Sequence, residues 1–492
     1  MGSVATNLNV GFKIDRIAII GAGAAGLAAA TYLSSEEQFS HIEVFEQRNS
    51  PGGTWNYSSE KRAPKVTVPK TTPDDNNETP YEPASSADDG FVSPLYRDLD
   101  TNIPHSLMNF STQPFPAGSP LFPSRDVVTE YLHQYAASLK HLIHYNTQVK
   151  NLTKINLDGN ECWELETQNL KTHETSISIY DAVVVANGHY SDIFIPDIKG
   201  IKEFHEQYPG VISHSKYYGE PEDFKDKKVI VVGFSASGLD VSVQIAQLCQ
   251  HPVLVSERQP SLLDPSETST NLRMMPTIEE FLIGKRAVRF SNGYIETGID
   301  SVIFCTGYHY SFPFLGPLRQ SLNPDGSHVR HLYQHLFYID NPTLAFVALP
   351  KRVVPFPISE AQSAYIARVW ANRVQLPTKA GMHEWEADLI ASCQELSRIH
   401  EMKYPKDANY INELYDICKP TASGANLIPP QWGEEACYYR QHMANIKSAS
   451  RKLGSARKFV KSLSELGFEY PANTMMEADA LIWHIDPCKV DV

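Results

Sequence analysis

The sequence predicts an α/β protein with two dinucleotide-binding, Rossmann-like domains. The first is discontinuous, the second is inserted within it, and a helical tail follows. Two observations carry this. The glycine turns GAGAAG (Gly21–Gly26) and GFSASG (Gly233–Gly238) each follow a short β-branched run and open a helix of small residues. Two such turns in one chain imply two dinucleotides side by side, and electrons passing between them.

The elements follow in order. Arg16–Ile20 is a strand, Gly26–Leu33 an alanine-rich helix and His41–Glu46 a second strand, which completes a βαβ unit. Residues 58–92 differ. They hold five prolines and few apolar residues, with basic side chains first (Lys61, Arg62, Lys65, Lys70) and acidic ones after (Asp74, Asp75, Glu78, Glu82, Asp88, Asp89). This is a surface insertion, read either as a solvated loop or as a cover over a site. Val127–Leu142 has helical periodicity. Trp163–Glu166 and Ser176–Ile179 predict an antiparallel pair, and Ala182–Ala186 and Ser301–Phe304 buried strands. Asp223–Asp226 is a polar turn before the second βαβ unit, Lys228–Val255. Beyond about residue 370 the pattern turns helical and charged.

Bulk properties set limits. The 492 residues carry 43 basic and 57 acidic side chains, a net charge of −14. That disfavours nucleic acid as a partner. The seven cysteines form no CxxC pair, which disfavours a redox dithiol and a zinc knuckle and suggests a reducing compartment. No run is long and apolar enough to span a bilayer. A cytoplasmic protein is expected, with peripheral attachment to the endoplasmic reticulum as the other reading. Monomer and homodimer stay open.

In the first turn Gly21 permits the tight bend, Gly23 lets backbone approach a pyrophosphate and Gly26 lets helix and strand pack closely. Ala24 and Ala25 then offer helix N-terminal N–H groups to phosphate. Glu46, 20 residues after Gly26, stands where an acid binds a ribose diol. Gln47 follows it, and Gly52-Gly53-Thr54-Trp55 lie where an extended FAD runs toward its isoalloxazine. In the second turn Ser235 replaces the middle glycine, with Ala236 and Ser237 before Gly238. The position matching Glu46 is taken to be Ser256, with Arg258 two residues on. Loss of the acid and gain of an arginine favour NADPH over NADH. Glu257, between them, is expected to point away.

GGTW after such an acid resembles the class B flavin-dependent monooxygenases. Tyr208–Tyr218 is similar to the fingerprint FxGxxxHxxxY/F of flavin-containing monooxygenases, with Tyr208 at the first position and His214 at the histidine. Phe304–Tyr308, FCTGY, resembles the family's FATGY with Cys305 for alanine. Ser93–Leu99, Gly326–Val329 and Tyr333–His335 resemble the fission-yeast type, described as thiol-specific. Tyr218-Gly219 stands where Baeyer–Villiger enzymes carry tryptophan, which favours the heteroatom-oxidising branch.

The resemblance implies an FAD-binding domain at 14–206 and 301–375, an NADPH-binding domain at 207–300 and a helical region at 376–492. It implies FAD and NADPH as cofactors, with dioxygen and a small thiol, thioether or amine as reactants. Reduced flavin would form a 4a-hydroperoxide whose distal oxygen passes to sulfur or nitrogen. Asn102 is the implied catalytic residue, its amide bonding the peroxy group. Thr101, Val149, Thr306 and Gln362 are implied on the flavin side, with Glu360 a weaker candidate. His214 is implied either as an NADP contact or as a brace for the interdomain linker. The absence of a nucleophile triad and of a metal-ligand cluster fits this chemistry. Baeyer–Villiger oxidation of ketones and uncoupled NADPH oxidation to hydrogen peroxide are the alternative activities. A disulfide reductase lacks its CxxC. A nucleotide-free scaffold is at odds with the intact Gly21, Gly23, Gly26, Glu46 and Gly53.

Overall fold

The computed structural model describes residues 11–58, 66–82, 89–258, 271–419 and 427–471. Ile17, Ala18, Ile19 and Ile20 are apolar without alternation, the pattern of a strand covered on both faces. All four are buried in the strand Arg16–Ile20. It pairs in parallel with His41–Phe45 on one side and Ala182–Val185 on the other. The sheet has seven strands: Leu332–Tyr333, Phe337–Tyr338, Leu344–Phe346, Ala182–Val185, Arg16–Ile20, His41–Phe45 and Ile143–His144, in that spatial order. Its strands come from both sides of the second glycine turn in sequence, so the first sheet is discontinuous. The helix Ala24–Ser34 lies against the helix Pro355–Trp370. Ala28, Ala29 and Ala30 meet Ala361, Ala364 and Ala367 in one buried cluster, where small side chains let two helices and a sheet approach closely.

The second parallel sheet has five strands: Leu272–Met275, Gln250–Ser256, Lys228–Val232, Ser301–Phe304 and Ile212–His214. This corrects one expected boundary. Ser301–Phe304, assigned to the returning part of the first domain, pairs with Lys228–Val232 and Ile212–His214 in the second sheet. Its four residues are buried on both faces and fill the slot between those strands. The expected antiparallel pair exists, with Trp163 opposite Tyr180 and Glu166 opposite Ile177. It belongs to a three-stranded sheet completed by Thr147–Leu157. Val127–Leu142 is not one helix. The α-helix Arg125–Tyr135 tightens into the 3-10 turns Ala136–Leu142.

The described parts of the 58–92 insertion keep Thr71, Thr72, Asp75 and Asn76 exposed to solvent yet are anchored to the body of the protein. Val68 and Phe91 are buried, and residues 66–82 lie across the region between the two sheets. The tail is helical. Lys406–Cys418 packs on Pro355–Trp370 through Ile411 and Leu414, and Met443–Lys452 sets Ile446 against Leu121 and Phe122.

Candidate functional site

Both glycine turns open onto one cavity of about 980 Å³ between the sheets. In the first turn Gly21 N–H donates to the Phe45 carbonyl at 2.8 Å, and φ of +102° suits glycine alone. A Cβ there would stand 2.7 Å from the Ala186 carbonyl, and one on Gly26 would run into the Gly21 carbonyl. The helix begins at Gly23 with no side-chain cap and no acid in its first turn. The N–H groups of the first turn have no intrahelical partner, and Gly23, Ala24 and Ala25 line the cavity. Gly53 approaches the turn so closely that a Cβ would lie 2.9 Å from the Gly23 Cα. Gly53, Thr54 and Trp55 line the cavity beside it. This cradle, positive at the helix end and free of side-chain bulk, fits a dinucleotide pyrophosphate.

Glu46 stands at the expected strand end, 4% exposed. It accepts from Ala22 N–H at 2.7 Å and from Arg48 N–H at 2.8 Å. Burial raises its pKa, opposed by those two amides and the Arg48 charge. The carboxylate therefore ties the strand end to the turn as well as facing the cavity. Gln47 and Val149 line the same stretch, and Gln47 accepts from the Gln148 amide at 3.1 Å. Thr101 is buried, its hydroxyl donating to the Ile103 carbonyl, while Asn102 is exposed and lines the cavity.

The second turn repeats the first. Gly233 has φ of +97° and donates to the Ser256 carbonyl at 2.8 Å. A Cβ on Gly238 would run into the Gly233 carbonyl. The helix Ala236–Ile245 starts at Ser235 with no side-chain cap, and Ala236 and Ser237 line the cavity. Gly233, Ser235 and Gly238 build the turn without lining the cavity themselves.

Six of the expected contact residues lie off the cavity lining. Ser256 is 2% exposed and spends its hydroxyl on the Pro276 carbonyl at 3.0 Å, so it faces away from any ribose. Arg258 is exposed and lies outside the cavity lining. His214 is fully buried. Its Nδ1 accepts from Lys216 N–H at 3.1 Å and its Nε2–H donates to the Gly307 carbonyl at 3.0 Å. Burial lowers its pKa to about 3, so it is a neutral brace joining the linker to FCTGY, not a cavity contact. Thr306 donates to the Phe194 carbonyl instead of facing the cavity. Gln362 is fully buried, accepting from Ala348 N–H at 2.8 Å and donating to the Tyr410 hydroxyl at 3.0 Å. Glu360 likewise turns into the core, toward Ser111 and Tyr32.

Sequence reasoning missed the cavity's far wall. Lys216, 3% exposed, donates to Glu78 at 2.9 Å and to the Ser191 carbonyl at 2.7 Å. Lys70 lies 2.8 Å from Asp74 and 3.3 Å from Asp192, and Asp74 N–H donates to Asp192 at 2.6 Å. These bonds fasten the 66–82 segment over the cavity. The signal was the charge order of that segment, whose partners lie more than a hundred residues away. His189 also lines the cavity, its pKa lowered to about 3 by burial and by the Lys351 charge.

Among the described residues no cluster of histidine, cysteine and acidic side chains could hold a metal ion. None of their helices is long and apolar enough to cross a membrane. The six described cysteines are free thiols. Comparison with known proteins decides the family. The flavin-binding monooxygenase-like family model matches residues 81–270 and 263–429, and an NAD(P)-binding Rossmann-like model matches 19–71. The chain belongs to the flavin-binding monooxygenase-like family. This monooxygenase is 34% identical to flavin-containing monooxygenase FMO GS-OX-like 2 of Arabidopsis thaliana, over 82% of its own chain and 84% of the relative. It is 31% identical to the thiol-specific monooxygenase of Saccharomyces cerevisiae, over 88% and 91%. Its fold matches the S-allyl-L-cysteine S-oxygenase of Allium sativum with a TM-score of 0.73 and 28% identity, over 92% and 96%. As for the family, the cofactors of this flavin monooxygenase are FAD and NADPH.

Proposed function

We propose that the protein is an NADPH-dependent monooxygenase that transfers one oxygen atom to a small soft nucleophile, with sulfur favoured over nitrogen. The observation that carries this is the convergence of two uncapped helix N-termini and the Asn102 loop on one cavity. The activities for which the yeast thiol-specific monooxygenase and the garlic S-oxygenase are named favour sulfur. Bound FAD would take two electrons from NADPH and pass them to dioxygen, one oxygen atom going to substrate and one to water.

The chain's own residues do the rest. The Gly21–Gly26 turn and Gly53 would hold the FAD pyrophosphate, with Glu46 on its ribose. The Ala236–Ser237 helix end would hold the nicotinamide dinucleotide. The 66–82 segment, fastened through Lys70 and Lys216, would keep water from the reacting face. Asn102 would donate its amide N–H to the activated oxygen. No strong acid or base is needed, which suits a wall whose histidines, His189 and His309, both have their pKa lowered by burial.

The test is joint measurement of NADPH loss and hydrogen peroxide across thiols, thioethers, tertiary amines and cyclic ketones. A sulfur compound should speed NADPH loss while peroxide falls. Peroxide tracking NADPH for every compound would mark an oxidase instead.

A further inference from the structure

The two βαβ units can be superposed residue by residue on their hydrogen bonds. In the first, Ile20 lies opposite Phe45 and Gly21 N–H donates to the Phe45 carbonyl. The next residue, Glu46, donates its N–H to His144, the neighbour of Phe45 on the adjoining strand. In the second, Val232 lies opposite Ser256 and Gly233 N–H donates to the Ser256 carbonyl. The next residue, Glu257, donates its N–H to Met275, the neighbour of Ser256 on the adjoining strand. The structural counterpart of Glu46 is therefore Glu257, one residue after Ser256, the position matched to it in the sequence. Ser256 corresponds to Phe45, a buried strand residue.

That position meets the adenosine ribose in this type of unit. An acid there accepts from a 2′,3′-diol and repels a 2′-phosphate. Glu46 lines the cavity, and at the same strand end of the second unit Glu257, half-buried, and Arg258, exposed, stand just outside that lining. Arg258, exposed and next in sequence, supplies the opposing attraction for a phosphate. We propose that Glu257 sets coenzyme choice in this protein, its carboxylate receiving the ribose diol, so that the second site accepts NADH as well as NADPH. This rests on reading the second turn as the nicotinamide site.

The experiment titrates the full-length, FAD-loaded oxidised protein with ADP-ribose and with 2′-phospho-ADP-ribose by calorimetry. Anaerobic flavin bleaching by NADH and by NADPH gives a second readout. The wild type should bind the two probes within about ten-fold of each other, because like charge at Glu257 offsets Arg258. Glu257→Ser should shift the ratio toward the phosphorylated probe by at least about ten-fold, and Arg258→Ser should shift it the other way. Glu257→Gln serves if the serine variant loses its FAD. A wild-type preference for the phosphorylated probe above about ten-fold overturns the proposal, as does a ratio unmoved by either Glu257 variant. Binding of neither probe would overturn the second-site reading itself.

Discussion

The Lys447 ammonium, from the C-terminal helix Met443–Lys452, donates to the carbonyl of Thr101 at 2.5 Å. Lys447 is 7% exposed and stands 4.3 Å from the centre of the Phe122 ring. Burial lowers its pKa to about 8, opposed by Asp240 and Asp100. Arg457 holds Asp100 at 2.9 Å, and Leu121 N–H donates to the Val460 carbonyl at 2.7 Å. The tail thus braces the loop that ends at Asn102. Lys447→Met should keep FAD bound yet raise peroxide per NADPH several-fold, because small displacements at a reacting centre are costly. Unchanged coupling with unchanged thermal stability would remove the brace.

Asn102 itself has a sharper signature. Its side chain is exposed at the cavity, so Asn102→Ala leaves no buried group unpaired and should cost little stability. Stopped-flow reduction of flavin by NADPH should stay near the wild-type rate. Peroxide release should rise and oxygenated product should fall by the same amount. A variant that reduces slowly would place Asn102 in the nicotinamide contact instead.

Gly53 tests the flavin cradle. It has φ of +55°, and an added Cβ would meet the Gly23 Cα at 2.9 Å, a backbone atom that cannot swing aside. Gly53→Ala should cost about 1–3 kcal/mol from backbone strain, and should lower the flavin-to-protein absorbance ratio as the turns separate. Gly159→Ala is the control. Gly159 has φ of +85° and nothing within 4 Å of an added Cβ. It should lose stability through conformation alone and keep its full flavin content.

Much of this was legible in the sequence where local rules govern. The Gly21–Gly26 turn, Glu46 and Gly53 stand where glycine spacing put them, because a tight turn and a close approach each demand a missing side chain. The second turn was legible too, but its strand end was misjudged by one residue. The strand Gln250–Ser256 shifts register between Gln250 and Leu254, which counting from the glycines cannot reveal. His214 and Gln362 were drawn toward the cofactors by motif, whereas their ring and amide complete backbone hydrogen bonds. The cavity wall from Lys70, Glu78, Asp192 and Lys216 was hidden because those pairs form only on folding. The role of Lys447 was hidden for the same reason, 346 residues from its partner.

Glu360 gives the pH dependence of stability. It is fully buried in the helix Pro355–Trp370 and accepts from Ser111 N–H at 2.8 Å, the Ser111 hydroxyl at 2.8 Å and the Tyr32 hydroxyl at 3.3 Å. Burial outweighs those donors and raises its pKa from 4.5 to about 7. Between these values the folded chain holds a proton that the unfolded chain has released. Stability therefore falls as pH rises from 4.5 to about 7 and levels off above, with a slope of at most about 1.4 kcal/mol per pH unit from this group. Glu360→Gln keeps the shape and removes the titration. Urea unfolding of both proteins at pH 5, 6, 7 and 8 isolates the effect, since the remaining titrating groups cancel in the difference. The variant should gain on the wild type across pH 5 to 7 and hold that gain at pH 8. A difference that stays flat across the series would mean that Glu360 is ionised in the folded protein, with Ser111 and Tyr32 together stabilising the charge.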